Sequence, residues 1–183
     1  KLNYDAAVEI NAPQSLGVSR TEAQDILEAA GVTDEEVGGG TKLVVTMEEE
    51  ELTDEIISTL DQVPTDDGSK PVPLAAIDIT MEKVEANGTS QYIHETSGKV
   101  RFVLAVPEGA DPTQKFVVAR IHNGEVVWLE DLDDNPNTVT IETDRFSTYV
   151  ISQVDLNTDD VVSDEEIRAK GVYAYNNLSR LKD

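Results

Sequence analysis

The amino-acid sequence predicts a mainly β protein of the α+β class. We expect an antiparallel β-sandwich, preceded by a small α/β N-terminal unit and followed by a C-terminal helix. From about residue 74 onward, short runs of alternating apolar and polar residues are separated by turn residues, as in antiparallel strands. An Asn-Gly pair between two β-branched runs marks a tight hairpin in that region. Helical periodicity is confined to residues 20–30, 54–63 and 164–181.

The strongest local signal is the hairpin at Asn123-Gly124. A two-residue type I′ turn requires positive φ at both central positions, and Asn followed by Gly tolerates that conformation. The turn fixes the register, which we predict as the pairs Ile121–Val126, Ala119–Trp128, His122–Glu125 and Val118–Leu129. Because neither face of this ribbon is wholly polar, we expect it to be a central element of a sheet.

The N-terminal third contains a candidate strand and a candidate helix. Residues 5–11 read as a short strand. A capping box between Ser19 and Glu22 predicts a helix over residues 20–30, and Gly31 fits the left-handed position that ends such a helix.

A second strand and helix follow a glycine-rich break at residues 38–40. Residues 43–47 predict a strand, and the acidic residues after it are expected to form its solvated end. Thr53 is a candidate N-cap for a helix over residues 54–63, which Pro64 terminates. One face of that helix is apolar and comprises Leu52, Ile56, Ile57, Leu60 and Val63.

The predicted domain organisation has three parts. Residues 1–67 form an N-terminal unit with two helices and two strands, residues 68–154 form the β-sandwich, and residues 155–183 form an acidic loop and a helix. Within the sandwich, alternation over the strand around Phe102 places this side chain in the core.

Composition restricts the partners and location of the protein. The 37 acidic residues against 14 basic ones give a formal net charge of −23, which repels nucleic acids and anionic lipids. We therefore expect no nucleic-acid partner, and no direct membrane insertion because no apolar run is long enough. Cysteine is absent, and a secreted chain without disulfides favours a Gram-positive exterior. A halophilic cytosol is the alternative explanation of the acidity.

The chain begins at Lys1 rather than at methionine. From this we expect a segment of a longer secreted precursor, and we expect the segment to be monomeric.

Three runs of sequence carry a resemblance to a known kind of domain. They are ETSGKVRFVLAVPE, FVVARIHNGEVVWLEDL and NTVTIETDRFSTYVI. Together they resemble a β-rich domain that recurs in secreted and cell-surface proteins of Gram-positive gut clostridia and closes on an ETDRFSTY-type strand. The resemblance covers roughly residues 74–154 and implies an extracellular module without an established activity. It supplies no catalytic or binding residues.

The C-terminal tail contains a candidate Ca²⁺ loop. The residues at positions 1, 3, 5, 7, 9 and 12 of the loop are Asp155, Asn157, Asp159, Val161, Ser163 and Glu166. Oxygen ligands at this spacing can wrap one Ca²⁺, with Glu166 bidentate, as in an EF-hand or one half of a dockerin. Asp160 departs from the pattern, because the sharp turn at position 6 favours Gly. The alternative is a polar linker followed by a helix that Ser163 and Glu166 cap.

Other candidate sites have simpler structural explanations. Residues 131–142 also space acidic oxygens like a calcium loop, but they already have a role as a turn between strands. His94 and His122 are the only histidines, and we interpret His122 as the cross-strand partner of Glu125. Trp128 shares a face with apolar residues, which favours core packing.

No nucleophile elbow, phosphate loop or zinc-protease motif is present, so we expect no enzyme activity. The sequence predicts a non-enzymatic extracellular module of a bacterial surface or secreted protein, either secreted or cell-wall associated, that acts as a spacer or adhesion domain. The alternative is a carbohydrate- or protein-binding module with a dockerin-like calcium tail. Candidate partners are cell-wall components, glycans or another surface protein.

Overall fold

Two β-sheets enclose the main hydrophobic core of the computed structural model, which describes residues 2–13, 19–20, 23–111 and 113–154. The described strands are β1 (Val8–Asn11), β2 (Ser19–Arg20), β3 (Lys42–Glu50), β4 (Val72–Val84), β5 (Ser90–Ile93), β6 (Glu95–Ala105), β7 (Lys115–His122), β8 (Glu125–Glu130), β9 (Thr138–Arg145) and β10 (Thr148–Val154). The described helices are α1 (Ala23–Ala29), α2 (Asp34–Gly38) and α3 (Asp54–Asp61), and a 3₁₀ turn covers Asp5–Ala7. This content confirms the predicted mainly β, α+β class.

The larger sheet has seven strands in the order β1-β3-β4-β10-β7-β8, with β5 paired to β4. The β1–β3 pair is parallel, whereas β3–β4, β4–β5, β4–β10 and β7–β8 are antiparallel. The smaller sheet has the order β2-β6-β9 and is antiparallel. Strand β4 pairs with β10 over its first half and with β5 near its end, while β3 lies along its other edge.

Aliphatic side chains from both sheets fill the core between them. The fully buried members include Leu43, Val45, Met47, Ile77, Ile79, Met81, Leu104, Val118, Ile141 and Ile151. Phe102 is 1% exposed and meets Phe146 edge-on, with ring centroids 6.5 Å apart. Helix α1 contributes Ile26 and Leu27 to the same core, so the helix is part of the sandwich.

Helix α3 covers the outer face of the larger sheet. A second apolar cluster there consists of Leu60, Ala76, Ala119 and Val150, with Leu52, Ile56, Ile121, Val126 and Trp128 packed around it. The Trp128 indole N–H donates to the Val63 carbonyl at 2.7 Å, which fixes the end of the helix on β8. The Thr53 side chain accepts from the backbone N–H of Ile56, so the predicted N-cap is confirmed, although α3 ends at Asp61.

The predicted hairpin is confirmed in turn type and in register. Asn123 and Gly124 both have positive φ, 53° and 78°, and all four predicted residue pairs occur between β7 and β8. The expectation that the ribbon is central to a sheet is wrong for β8, which is an edge strand. Its apolar residues face helix α3 on one side and the sandwich on the other, so burial of both faces did not require a further strand.

The predicted boundary near residue 67 does not divide the structure. Residues 1–153 form one unit, and the chain divides between Gln153 and Val154, next to the other predicted boundary at residues 154 and 155. Strand β3, from before the predicted boundary, pairs along its whole length with β4, from after it. The two segments share one sheet and one core, because Leu43, Val45 and Met47 of β3 and Ile77, Ile79 and Met81 of β4 are buried together.

The helix predicted over residues 20–30 is shorter than expected. Ser19 and Arg20 are extended and pair with Val103 and Phe102 of β6, so the predicted cap at Ser19 is wrong. The free edge of β6 offers backbone hydrogen bonds that compete with the local cap. Gly31 has φ of +76°, as predicted for the residue that ends this helix.

Three other N-terminal segments differ from expectation. Residues 5–7 form a 3₁₀ turn, so the first strand begins only at Val8. The break expected at residues 38–40 contains the end of helix α2, which we did not predict from the sequence. A capping box starts that helix: the Thr33 side chain accepts from the Glu36 N–H, and the Glu36 carboxylate accepts from the Thr33 N–H. Likewise, β3 continues through the acidic residues to Glu50.

Replacing Phe102 by Ala should lower the free energy of unfolding by about 3–5 kcal/mol, because a large cavity would open between the two sheets. Urea denaturation monitored by circular dichroism measures the loss. Leu132→Ala is the matched control, since Leu132 is 46% exposed and should change stability by only about 0.5 kcal/mol. A loss below about 1 kcal/mol for Phe102→Ala would contradict its place in the core.

Candidate functional site at the sheet-switching corner

The described chain passes between the two sheets six times, and two of these crossings meet at one corner of the sandwich. The first of these two crossings is at His94, between β5 of the larger sheet and β6 of the smaller sheet. The second is at Phe146 and Ser147, between β9 and β10. The backbone N–H of Phe146 donates to the carbonyl of His94 at 3.0 Å, so the two crossings are joined directly.

A buried tyrosine holds the second crossing. The Tyr149 side chain is fully buried; its hydroxyl donates to the Arg145 carbonyl and lies 2.7 Å from the Thr143 hydroxyl. Burial raises the pKa of Tyr149 to about 12, while the Thr143 hydrogen bond acts in the opposite direction. The hydroxyl therefore stays protonated and available as a donor at neutral pH.

Charged side chains continue this polar network toward the surface. Arg120 donates to the Thr143 hydroxyl at 3.1 Å and lies 3.5 Å from the Asp144 carboxylate. Arg145 lies 3.2 Å from Asp144 and 3.2 Å from Glu95, at the first crossing. The Arg145–Glu95 ion pair is thus a second link between the two crossings.

An open cleft of about 700 Å³ lies at this corner. We call it the corner cleft; it is lined by Gln91, Tyr92, Ile93, His94, Glu95, His122 and Asn123. The two histidines are far apart in the sequence, and the fold brings both to one surface because the β7–β8 turn lies beside the first crossing. The volume of the corner cleft falls within the range of about 300–1,000 Å³ that is typical of small-molecule sites.

Tyr92 and His94 form an exposed pair of rings along one wall of the corner cleft. Tyr92 is 60% exposed. The two ring centroids are 6.5 Å apart and the ring planes differ by 25°. Residues two apart on a strand share a face, so the spacing of these aromatic residues was visible in the sequence. Their proximity to His122 was not visible there.

His122 lies opposite Glu125, as predicted. Its Nδ1 atom is buried and has no hydrogen-bond partner among the described residues. The Arg120 Nε atom, two residues earlier on the same face of β7, is also buried without a partner there. These two nitrogen atoms therefore retain unused hydrogen-bonding capacity near the corner cleft.

The predicted calcium ligands Asp155, Asn157, Asp159, Val161, Ser163 and Glu166 lie outside the described residues, as does the predicted helix at 164–181. Within the described ranges, no group of three or more His, Asp or Glu side chains is arranged to hold a metal ion.

The acidic loop after β8 has its oxygens engaged in turn hydrogen bonds. Asp131 accepts from the backbone N–H groups of Asp133 and Thr140. Asp133 in turn accepts from the Asn135 N–H and from the hydroxyls of Thr138 and Thr140. These bonds give the loop its shape, which agrees with the turn role that we assigned to residues 131–142.

A separate acidic patch lies on the outer face of the larger sheet. Glu48 of β3 and Thr148 of β10 lie on either side of Asp78, and the Thr148 hydroxyl donates to Glu50 at 2.9 Å. Burial raises the pKa of the Asp78 carboxyl, and the charges of Glu50 and Glu48 raise it further.

No protein-family model matches the chain, and no curated protein or solved structure matches it either. Among the described helices, none has the length and the apolar composition that crossing a membrane requires.

Replacing Tyr149 by Phe should cost about 1–3 kcal/mol of stability, because the Arg145 carbonyl and the Thr143 hydroxyl would each lose a buried partner. Chemical denaturation at neutral pH measures the change. Tyr92→Phe removes the same hydroxyl from an exposed ring and is expected to have almost no effect. Equal effects of the two variants would show that the corner does not depend on the buried hydroxyl.

Replacing Asp78 by Asn should increase stability at neutral pH. Because the folded carboxyl has a raised pKa, its ionised form destabilises the folded state, and this penalty disappears as the pH falls through the folded pKa. The advantage of Asp78→Asn should therefore shrink in acid. Urea midpoints at neutral and acidic pH measure it, with Asp66→Asn in an exposed loop as the control. An advantage that grows on acidification would refute this account.

Proposed function

We propose that the chain is a non-enzymatic extracellular module of a Gram-positive surface or secreted protein, and that it serves as a spacer or adhesion domain. The observation that carries this proposal is the construction of residues 1–153 as one unit. Two sheets are closed over an aliphatic core and tied together at a corner. Such a unit is mechanically self-sufficient and suits a module within a longer chain.

The distribution of perturbed acidic groups supports a role without catalysis. Enzyme active sites tend to gather several titratable groups with shifted pKa values in one cleft. Here, burial raises the pKa values of Asp78 on β4, of Asp131 in the loop after β8 and of Tyr149 in the core. None of these three residues lines the corner cleft.

The acidity of the chain and the resemblance of residues 74–154 support the extracellular placement. Those residues form β4 to β10, which include all the strands of the two crossings. A net charge of −23 suits a solvent-exposed module that must remain soluble and separate from its neighbours.

A carbohydrate- or protein-binding module with a calcium-binding tail is the second candidate. The corner cleft favours it, because an exposed pair of rings beside polar side chains is a surface that can hold a ligand. In this form of the proposal, Asp155 to Glu166 would bind Ca²⁺ and dock the module.

Purified Gram-positive cell walls provide the test. The intact chain should release no new reducing ends or amines from them, and saturable binding would identify adhesion whereas absence of binding would identify a spacer. Turnover that a single Asp or Glu substitution abolishes would overturn the proposal.

The same assay with Ca²⁺ or a chelator tests the second candidate. Calcium-dependent binding should be lost in Glu166→Gln and retained in Glu165→Gln, because only Glu166 occupies position 12 of the candidate loop. Equal binding in all conditions would remove calcium from the mechanism.

A further inference from the structure

We infer that the corner cleft binds a neutral oligosaccharide, with Tyr92 and His94 as the stacking surface. This inference rests on the carbohydrate-binding form of the proposed function and gives it a site and a ligand class. Three features support the inference: two exposed aromatic rings, several polar side chains and a hydrogen-bonded backbone all lie around one cleft of about 700 Å³.

The geometry of the two rings suits a sugar. A pyranose has flat patches of C–H groups, which pack against aromatic faces, and a rim of hydroxyls. The planes of Tyr92 and His94 differ by only 25°, and their centroids are 6.5 Å apart. Both side chains are exposed, so core packing does not explain why the two rings are stacked.

The rest of the cleft supplies groups that can hydrogen-bond sugar hydroxyls. Gln91 and Asn123 carry amides, which both donate and accept, and the Glu95 carboxylate accepts. His122 lies on the opposite side, on the β7–β8 hairpin. A few placed polar groups around an apolar surface are the usual arrangement of a small-ligand site.

The groups around the cleft are held in place before any ligand binds. The His94 carbonyl is bonded to the Phe146 N–H, and Glu95 is paired with Arg145 at 3.2 Å. Asn123 is fixed in the left-handed conformation of the hairpin turn, with φ of 53°. Binding would therefore require little ordering of the protein, which favours affinity for a small ligand.

Charge selects neutral glycans over acidic ones. The chain carries a net charge of −23. An anionic polysaccharide would be repelled at long range. A neutral sugar forms its hydrogen bonds without this penalty.

An extended peptide is the competing ligand, because β5 could accept it along its edge. A peptide bound in that way would be held by backbone hydrogen bonds and would depend little on the Tyr92 ring. The contribution of that ring therefore distinguishes the two ligands.

The experiment uses the intact chain on an array of neutral and acidic glycans, followed by calorimetry with the best neutral oligosaccharide. Tyr92→Ala should weaken binding about tenfold, as expected for loss of one aromatic contact. His94→Ala should also weaken it. Tyr92→Phe should retain it, because the ring remains. Leu132→Ala is the control for an exposed apolar residue outside the cleft, and circular dichroism checks that each variant is folded.

The outcomes separate this inference from the function on which it rests. Binding of neutral glycans that Tyr92→Ala weakens supports the inference. Glycan binding that is equal in wild type and Tyr92→Ala overturns the cleft as the site, although the carbohydrate-binding function stands. Absence of glycan binding, or a preference for acidic glycans, overturns the inference. If cell-wall binding persists without glycan binding, an adhesion role through another ligand stands.

Discussion

One constraint underlies the fold: the chain passes from the larger sheet to the smaller one at His94 and back to the larger one at Phe146 and Ser147, and both crossings lie at the same corner. Where the backbone turns from one sheet to the other, its N–H and C=O groups have no partners on a neighbouring strand. Buried polar groups of this kind must find other hydrogen-bond partners. Here the His94 carbonyl accepts from the Phe146 N–H, and the Tyr149 hydroxyl bonds the Arg145 carbonyl and the Thr143 hydroxyl. The corner is therefore closed by hydrogen bonds where the aliphatic core ends.

The same constraint explains why a cleft lies at this place. A strand that changes sheets at His94 cannot be covered by either sheet, so its side chains face solvent. The β7–β8 turn reaches the same end of the sandwich and forms the other wall through His122 and Asn123. The hydrogen bonds that tie the corner therefore also hold the backbone beside the cleft at His94.

Helix α3 shows how the N-terminal and later parts of the chain depend on each other. Its Leu60 packs on Ala76, Ala119 and Val150 of the larger sheet, and Trp128 holds its end through the Val63 carbonyl. The parallel pair of β1 and β3 extends the same sheet. The fold is consequently a sandwich with an additional helical layer on its outer face, and removal of the N-terminal part would expose one edge and one face of the larger sheet.

Local sequence patterns were enough to predict the hairpin at Asn123-Gly124 and its register, the Thr53 cap, the strand periodicity and the buried position of Phe102. These follow from backbone conformations and alternation over a few residues. Only the tertiary structure decided that β8 is an edge strand, that Ser19 joins a sheet instead of capping a helix, and that His94 and His122 share a cleft. Those outcomes depend on which distant strands become neighbours. Local patterning specifies that a face is buried but not which element buries it, because helix, sheet edge and second layer all remove the same apolar surface from water.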